Sequence, residues 1–373
     1  MPQGPPVLRQ IAFLLCLVAL AGCAARGTLA VMREPATGAV ERQVFVGTTR
    51  ERTPGGLFGN TRSETVGFGA FTVAVPPDRA PGEIAYPKGQ PDPGRQFVMT
   101  SARLFDRAPT FTAALARDLA ARPRGKRAAV IFVHGFNTNF TEGLYRSAQL
   151  AHDFGIEGVA LHYSWPSAAS PFGYAHDRDS ALFARKGFTE LLDAVIAARP
   201  DEVLIVAHSM GALLSMEALR QMALTSPGRV AREIDGLILL SPDIDVDVFR
   251  AQVRDIGAMP PNVVVFTSQR DRALLLSARL SGQRERLGNI QSVGELADLR
   301  VTVLDVTGFS TGMGHFTAGS SPDLIRLLRN VPTLQQSFDE GAAGRPGLLP
   351  GTVITVQNAT GIILSPLTAL AGQ

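Results

Sequence analysis

The chain has 373 residues, 45% hydrophobic and 18% charged, with a formal net charge of +3. That apolar share excludes intrinsic disorder and collagen-like repetition, and it suffices for one large α/β domain or two smaller ones. Only three of the 36 basic residues are Lys (Lys88, Lys126, Lys186), and basic and acidic residues are interleaved, so a nucleic-acid partner is not expected. Both cysteines, Cys16 and Cys23, lie near the N-terminus, which excludes a disulfide framework or a Cys-based metal site in the rest of the chain.

Residues 1–10 carry one basic side chain, Arg9, and an apolar run over 11–20 follows. The run is shorter than the about 20 residues a spanning helix needs, and it suits the core of an export signal. Leu20-Ala21-Gly22-Cys23 resembles the lipobox of bacterial lipoproteins, in which the peptidase cuts before Cys and the thiol takes a diacylglycerol. The resemblance implies a signal peptide over 1–22, a lipidated Cys23 heading a tether over 23–41, and anchoring to the bacterial envelope. Ala24 rather than Asp after the Cys implies the outer membrane, facing the periplasm.

Strand-like stretches at 43–49, 66–75 and 96–103 come next, separated by breakers such as Pro76-Pro77 and Pro81-Gly82. From residue 128 the pattern changes. Short runs rich in Val, Ile and Leu at 128–133, 158–163, 202–207, 236–240, 262–267 and 300–306 predict strands buried on both faces. Helical patterns lie between them at 141–153, 180–198, 212–223, 247–256 and 273–280. Ser321-Pro322-Asp323 opens the last helix with a cap, a first-turn Pro and an acid. This alternation predicts an α/β fold, a mostly parallel central sheet flanked by helices with extra N-terminal strands, over residues 42–332. Residues 333–373 lose the alternation and read as a loose tail, although 353–370 are apolar enough to dock. The connection 246–261 has room for one helix and a turn. A large lid is therefore not expected there, and a cleft at the strand ends should be open.

The chemistry gathers where strands end. The run 203–207 leads straight into His208-Ser209-Met210-Gly211, after which a helix starts. Ala207 and Gly211 flank Ser209 two residues either side, where a sharp turn leaves no room for bulk. The turn would raise the Ser209 hydroxyl and aim the Met210 N–H at the same space. The usual first glycine is Ala207 here.

A serine nucleophile needs a base. Of the six histidines, His315 follows the last strand in a Gly-rich loop that can fold back over the strand ends. The acid that orients the base is Asp271, after the strand at 262–267, or its rival Asp243 after the preceding strand; chain order and loop reach favour Asp271. The alternation Asp243, Asp245, Asp247 suggests calcium, but Val248 stands where the loop needs Gly and Arg254 where it needs Glu. Helix capping and Arg binding are expected instead, with no metal and no cofactor. A second oxyanion donor is expected at Phe136, in Val133-His134-Gly135-Phe136-Asn137, with Asn137 and Asn139 bracing that loop or capping the helix after it. Trp165, Phe172 and Tyr174 line an acyl pocket or anchor loops.

These motifs, with Tyr163-Ser164-Trp165-Pro166 and Ser268-Gln269-Arg270-Asp271-Arg272-Ala273-Leu274, resemble the α/β-hydrolase superfamily over about residues 42–330. More narrowly, they resemble a bacterial esterase/lipase-like branch. The resemblance implies a serine hydrolase with Ser209, Asp271 and His315 as triad. It would cleave carboxylic esters or thioesters through an acyl-enzyme, acting on a small-molecule or lipid ester. The alternative is a non-catalytic hydrolase-fold envelope lipoprotein that binds a partner or ligand.

Overall fold

The computed structural model describes residues 26–87, 89–282, 285–310, 314–330, 352–358 and 361–366. The stretch read as a signal peptide, and Cys23, lie outside the described residues. Strands β1 (Val40–Arg52), β2 (Phe58–Val75) and β3 (Val98–Phe105) form an antiparallel meander. β2 starts at Phe58 rather than at residue 66 because 58–65 fold back on the end of β1, setting Arg62 opposite Arg50 and Phe58 opposite Arg52. Helix α1 (Ala108–Ala120) was not expected, although a first-turn Pro and the spacing of Phe111, Ala114, Leu115 and Leu119 encode it.

Strands and helices then alternate. They are β4 (Ala128–Val133), α2 (Phe140–Asp153), β5 (Val159–Ser164), α3 (Tyr174–Ala197), β6 (Glu202–His208), α4 (Met210–Thr225) and a short α5 (Arg229–Glu233). The series continues with β7 (Gly236–Leu240), α6 (Val246–Ile256), β8 (Asn262–Thr267), α7 (Arg272–Leu280), β9 (Thr302–Asp305), α8 (Thr317–Ser320) and α9 (Pro322–Asn330). β4 to β9 pair in parallel, and β1 joins them alongside β5. The result is an α/β-hydrolase fold with the meander as an N-terminal addition.

The stretch expected as a loose tail contributes two further strands. β10 (Thr352–Asn358) runs parallel to β9, and β11 (Gly361–Pro366) pairs antiparallel with β10. They cover the row of backbone donors and acceptors that β9 would otherwise leave open. The rest of residues 333–373 lies outside the described residues.

Side-chain alternation sends the strand residues to the two faces of the sheet. Val203, Ile205 and Ala207 of β6 pack with Leu214 and Leu191 of α4 and α3 on one face. Leu240, Val264, Phe266 and Leu304 meet Ala318 and Leu324 on the other.

The strand order β3-β2-β1-β5-β4-β6-β7-β8-β9-β10-β11 reverses direction of progress between β4 and β6. The connections from β4 and β6 leave to opposite sides there and open a crevice at the carboxyl ends of these strands. Val133 stands opposite both Ala207 and Tyr163, so His134, Ser164 and His208 come level at that edge.

Candidate active site

Ser209 joins β6 to α4 with φ 53° and ψ −121°. A non-Gly residue in this region costs about 1–3 kcal/mol and persists only where the surroundings enforce it. Here the Ser209 N–H donates to the Leu240 carbonyl (2.9 Å), and its carbonyl accepts from Ala212 (3.0 Å) and Asp243 (3.2 Å). A Cβ on Gly211 would run into the carbonyl oxygens of His134 and Val133, so only glycine lets α4 start this close to the end of β4. Ala207 is fully buried in the α3–α4 core, and its methyl is accommodated where a glycine is usual.

The three predicted side chains converge. Asp271 is fully buried and caps α7 through the Leu274 N–H (3.0 Å). Its carboxylate lies 2.9 Å and 3.1 Å from His315 Nδ1. With the Nδ1 proton donated to Asp271, Nε2 is left to accept the Ser209 hydroxyl, 2.9 Å away. Ser209 is 2% exposed and the His315 side chain 22%, so the nucleophile sits at the floor of a site reached past the imidazole. Such an array can move a proton from hydroxyl to imidazole while the carboxylate stabilises the imidazolium.

The rival acid, Asp243, is committed elsewhere. It forms an ion pair with the fully buried Arg286 (3.2 Å) and accepts from Tyr174 Oη (2.9 Å) and Ser277 Oγ. Asp245 caps α6 through the Val248 N–H (3.1 Å). His208 lies beside the centre without replacing its base. Its ring is 4.8 Å from that of His315 and 4.4 Å from Phe316, and burial holds it well below the ordinary imidazole value.

The loop after β4 reaches the nucleophile. A Cβ on Gly135 would lie 2.9 Å from Ser209 Cβ, so glycine is what permits the approach. Among the described residues no acceptor takes the Phe136 or Met210 amide. Around them everything is tied down. Asn139 caps α2 in a reciprocal box with Glu142. Asn137 takes φ 58°, and its N–H donates to Asp177 (3.1 Å).

Asp177 was not foreseen, nor was Arg50 at the end of β1. Asp177 also accepts from Ser167 Oγ (2.5 Å) and the Ala168 N–H (2.6 Å). Arg50, 1% exposed, donates to the Thr138 carbonyl (2.8 Å), the Ser167 carbonyl (3.3 Å) and Ser164 Oγ (2.9 Å). Burial lowers its pKa to about 9, opposed by the nearby Asp177 and Glu142. An Arg four residues past the apolar run 44–46, just beyond the strand-like stretch 43–49, was the available signal.

Of the three residues read as pocket lining or loop anchors, Trp165 is an anchor. It is fully buried, its ring stacks on His134 at 4.8 Å and its indole N–H donates to the His134 carbonyl (2.7 Å). An indole wedged under the loop cannot line a cleft. Tyr174 is held by Asp243 and packs its ring edge against Phe136 (5.6 Å), while Phe172 is 84% exposed in the turn before α3.

A parallel sheet with a strained serine turn at its switch point, and a histidine and an aspartate from later loops, defines an α/β hydrolase. The chain belongs to the family described as alpha/beta hydrolase of unknown function (DUF900), whose model matches residues 109–331. No curated protein matches the chain. Among solved structures it is similar to a fungal esterase from Rhizomucor miehei at 10% identity, covering 91% of this chain and 92% of that one, with a TM-score of 0.31. It is also similar to an esterase of Pyrococcus furiosus at 9% identity, covering 76% and 88%, with a TM-score of 0.28.

Proposed function

We propose that the protein is a serine hydrolase of carboxylic esters or thioesters, held at the outer membrane by a lipidated Cys23. The observation that carries the hydrolytic reading is the contact of His315 Nε2 with Ser209 Oγ at 2.9 Å, with Asp271 at 2.9 Å on Nδ1. In this reading Ser209 Oγ attacks the carbonyl carbon as His315 takes its proton. The amides of Met210 and Phe136 hold the oxyanion. Collapse breaks the bond to the alcohol or thiol, which leaves with the proton from His315. Water, deprotonated by the same imidazole, then releases the acid and restores Ser209. The anchoring part rests on Leu20-Ala21-Gly22-Cys23 and the apolar run before it.

The test is labelling of the purified mature protein by an alkyl fluorophosphonate, followed by turnover of p-nitrophenyl esters of graded chain length. Ser209→Ala should abolish labelling and lower kcat by roughly 10⁴–10⁶. Equal labelling of wild type and variant would reject the mechanism. Separately, Cys23→Ser should move the protein from the membrane to the soluble fraction; retention in the membrane would reject the anchor.

A further inference from the structure

Gly135, His208 and Phe316, which border the Ser209–His315 pair, also wall a cavity of about 290 Å³ whose other side carries Arg26, Glu142 and Arg146. The charges facing it nearly cancel. Arg26 forms an ion pair with Glu142 (3.2 Å) and donates to the Asn137 carbonyl (3.1 Å). Glu142 also accepts the N–H groups of Gly27 and Asn139, each at 2.9 Å. Burial keeps His134 and His208 neutral and pushes the Tyr86 phenol up to about 12.

Arg146 is left over. Its Nη1 donates to the Gly82 carbonyl (3.1 Å), the Gly319 carbonyl (3.4 Å) and Gln149 Oε1 (2.8 Å). Among the described residues it forms no ion pair, and its Nε and Nη2 have no partner yet are not sealed from solvent. The guanidinium is held over the Phe316 ring at 4.8 Å, next in sequence to His315. The Nε/Nη2 edge of a guanidinium is a two-donor fork that matches the two oxygens of a carboxylate.

We propose that this cavity is a substrate subsite for a carboxylate borne by the ester, with Arg146 as the residue that sets the preference. The inference rests on the serine-hydrolase reading and adds a substrate class, esters of dicarboxylic acids or other esters with a free carboxylate. Three features support it. The cation is held in place by three bonds on Nη1, so little freedom is lost when a ligand binds. The cavity has no free anion to satisfy it among the described residues. A neutral chain of the same length finds no compensation there for desolvating the fork.

The test compares p-nitrophenyl hexanoate with the mono-p-nitrophenyl ester of adipic acid, which has the same acyl length and a terminal carboxylate. Wild type should favour the adipate ester in kcat/KM. The ratio of the two constants should fall about tenfold in Arg146→Gln, through KM, and recover in part in Arg146→Lys. A ratio equal to wild type in Arg146→Gln overturns the proposal. If that variant does not fold, wild type alone decides. Free adipate should raise the KM for the hexanoate ester while adipamide does not, and equal effects of the two overturn the subsite. Failure of the wider reading looks different, with no fluorophosphonate labelling and no turnover of either ester. The subsite is then judged by thermal unfolding, where adipate must stabilise wild type more than adipamide does; equal shifts reject it.

Discussion

Asp177→Asn tests whether the loop carrying the Phe136 amide is held by the buried charges beneath it. The substitution keeps the side-chain shape but turns one acceptor oxygen into a donor amide. Asp177 accepts from Asn137, Ser167 and Ala168 at 3.1, 2.5 and 2.6 Å, so at least one of those donors is left facing another donor or nothing. Losing one charge-assisted hydrogen bond costs about 1.5–3 kcal/mol. Arg50 also loses its foremost electrostatic partner while remaining buried, and an uncompensated buried charge costs about 3–5 kcal/mol. The two terms overlap, because Arg50 keeps Glu142 nearby and its carbonyl acceptors, so a net loss of about 3–4 kcal/mol is expected. If the Phe136 amide shifts as a result, kcat should drop by about 10²–10³, as for the loss of one oxyanion donor, with KM little changed. Urea unfolding followed by far-UV circular dichroism measures the first effect, and ester turnover well below the transition measures the second. Asp179→Asn, two residues on and exposed, is the control. A destabilisation under about 1 kcal/mol with kcat kept within about twofold would refute the reasoning.

Stability should fall on mild acidification. His162 is fully buried and its pKa is lowered from 6.5 to about 3 by burial. Below its ordinary value the unfolded chain takes up a proton that the folded one refuses, at a cost of about 1.4 kcal/mol per pH unit, while above that value the term vanishes. Going from about pH 7 to about pH 5 should therefore remove about 2 kcal/mol on account of His162, with His134 and His208 acting in the same direction. A urea midpoint that is flat over this range would contradict the account, and His162→Gln should reduce the slope. Trp165→Phe preserves stacking on His134 but strips its carbonyl of the 2.7 Å indole bond. A loss of about 1–3 kcal/mol is expected in the same assay, and no loss would mean that the bond is idle.

The parallel sheet was legible because most residues of β4 to β9 are buried, with alternate positions of β4 and β6 half-buried on one face, and continuous apolar runs are the direct trace of that burial. Helix α1 was missed because Arg107 offers no side-chain cap to mark its start only two residues after β3, and β10 was missed because it is a short strand, set between β9 and the edge strand β11, beyond a stretch without alternation. Ser209, His315 and Asp271 were readable because each follows a strand, and strand ends converge at one edge of a parallel sheet whatever lies between them.

The sequence alone determined which side chains stand at that edge and in what order the chain delivers them, since period and punctuation are local properties. It left Asp243 and Asp271 as rivals and Trp165 as either pocket or prop. Only the tertiary structure separated them. Arg286 and Tyr174, distant in the chain, claim Asp243, and the His134 carbonyl claims the indole. The same holds for Arg50 and Asp177, whose roles exist only once β1 lies beside β5. A buried polar group must find its partner in space, and no periodicity along the chain records which partner that is.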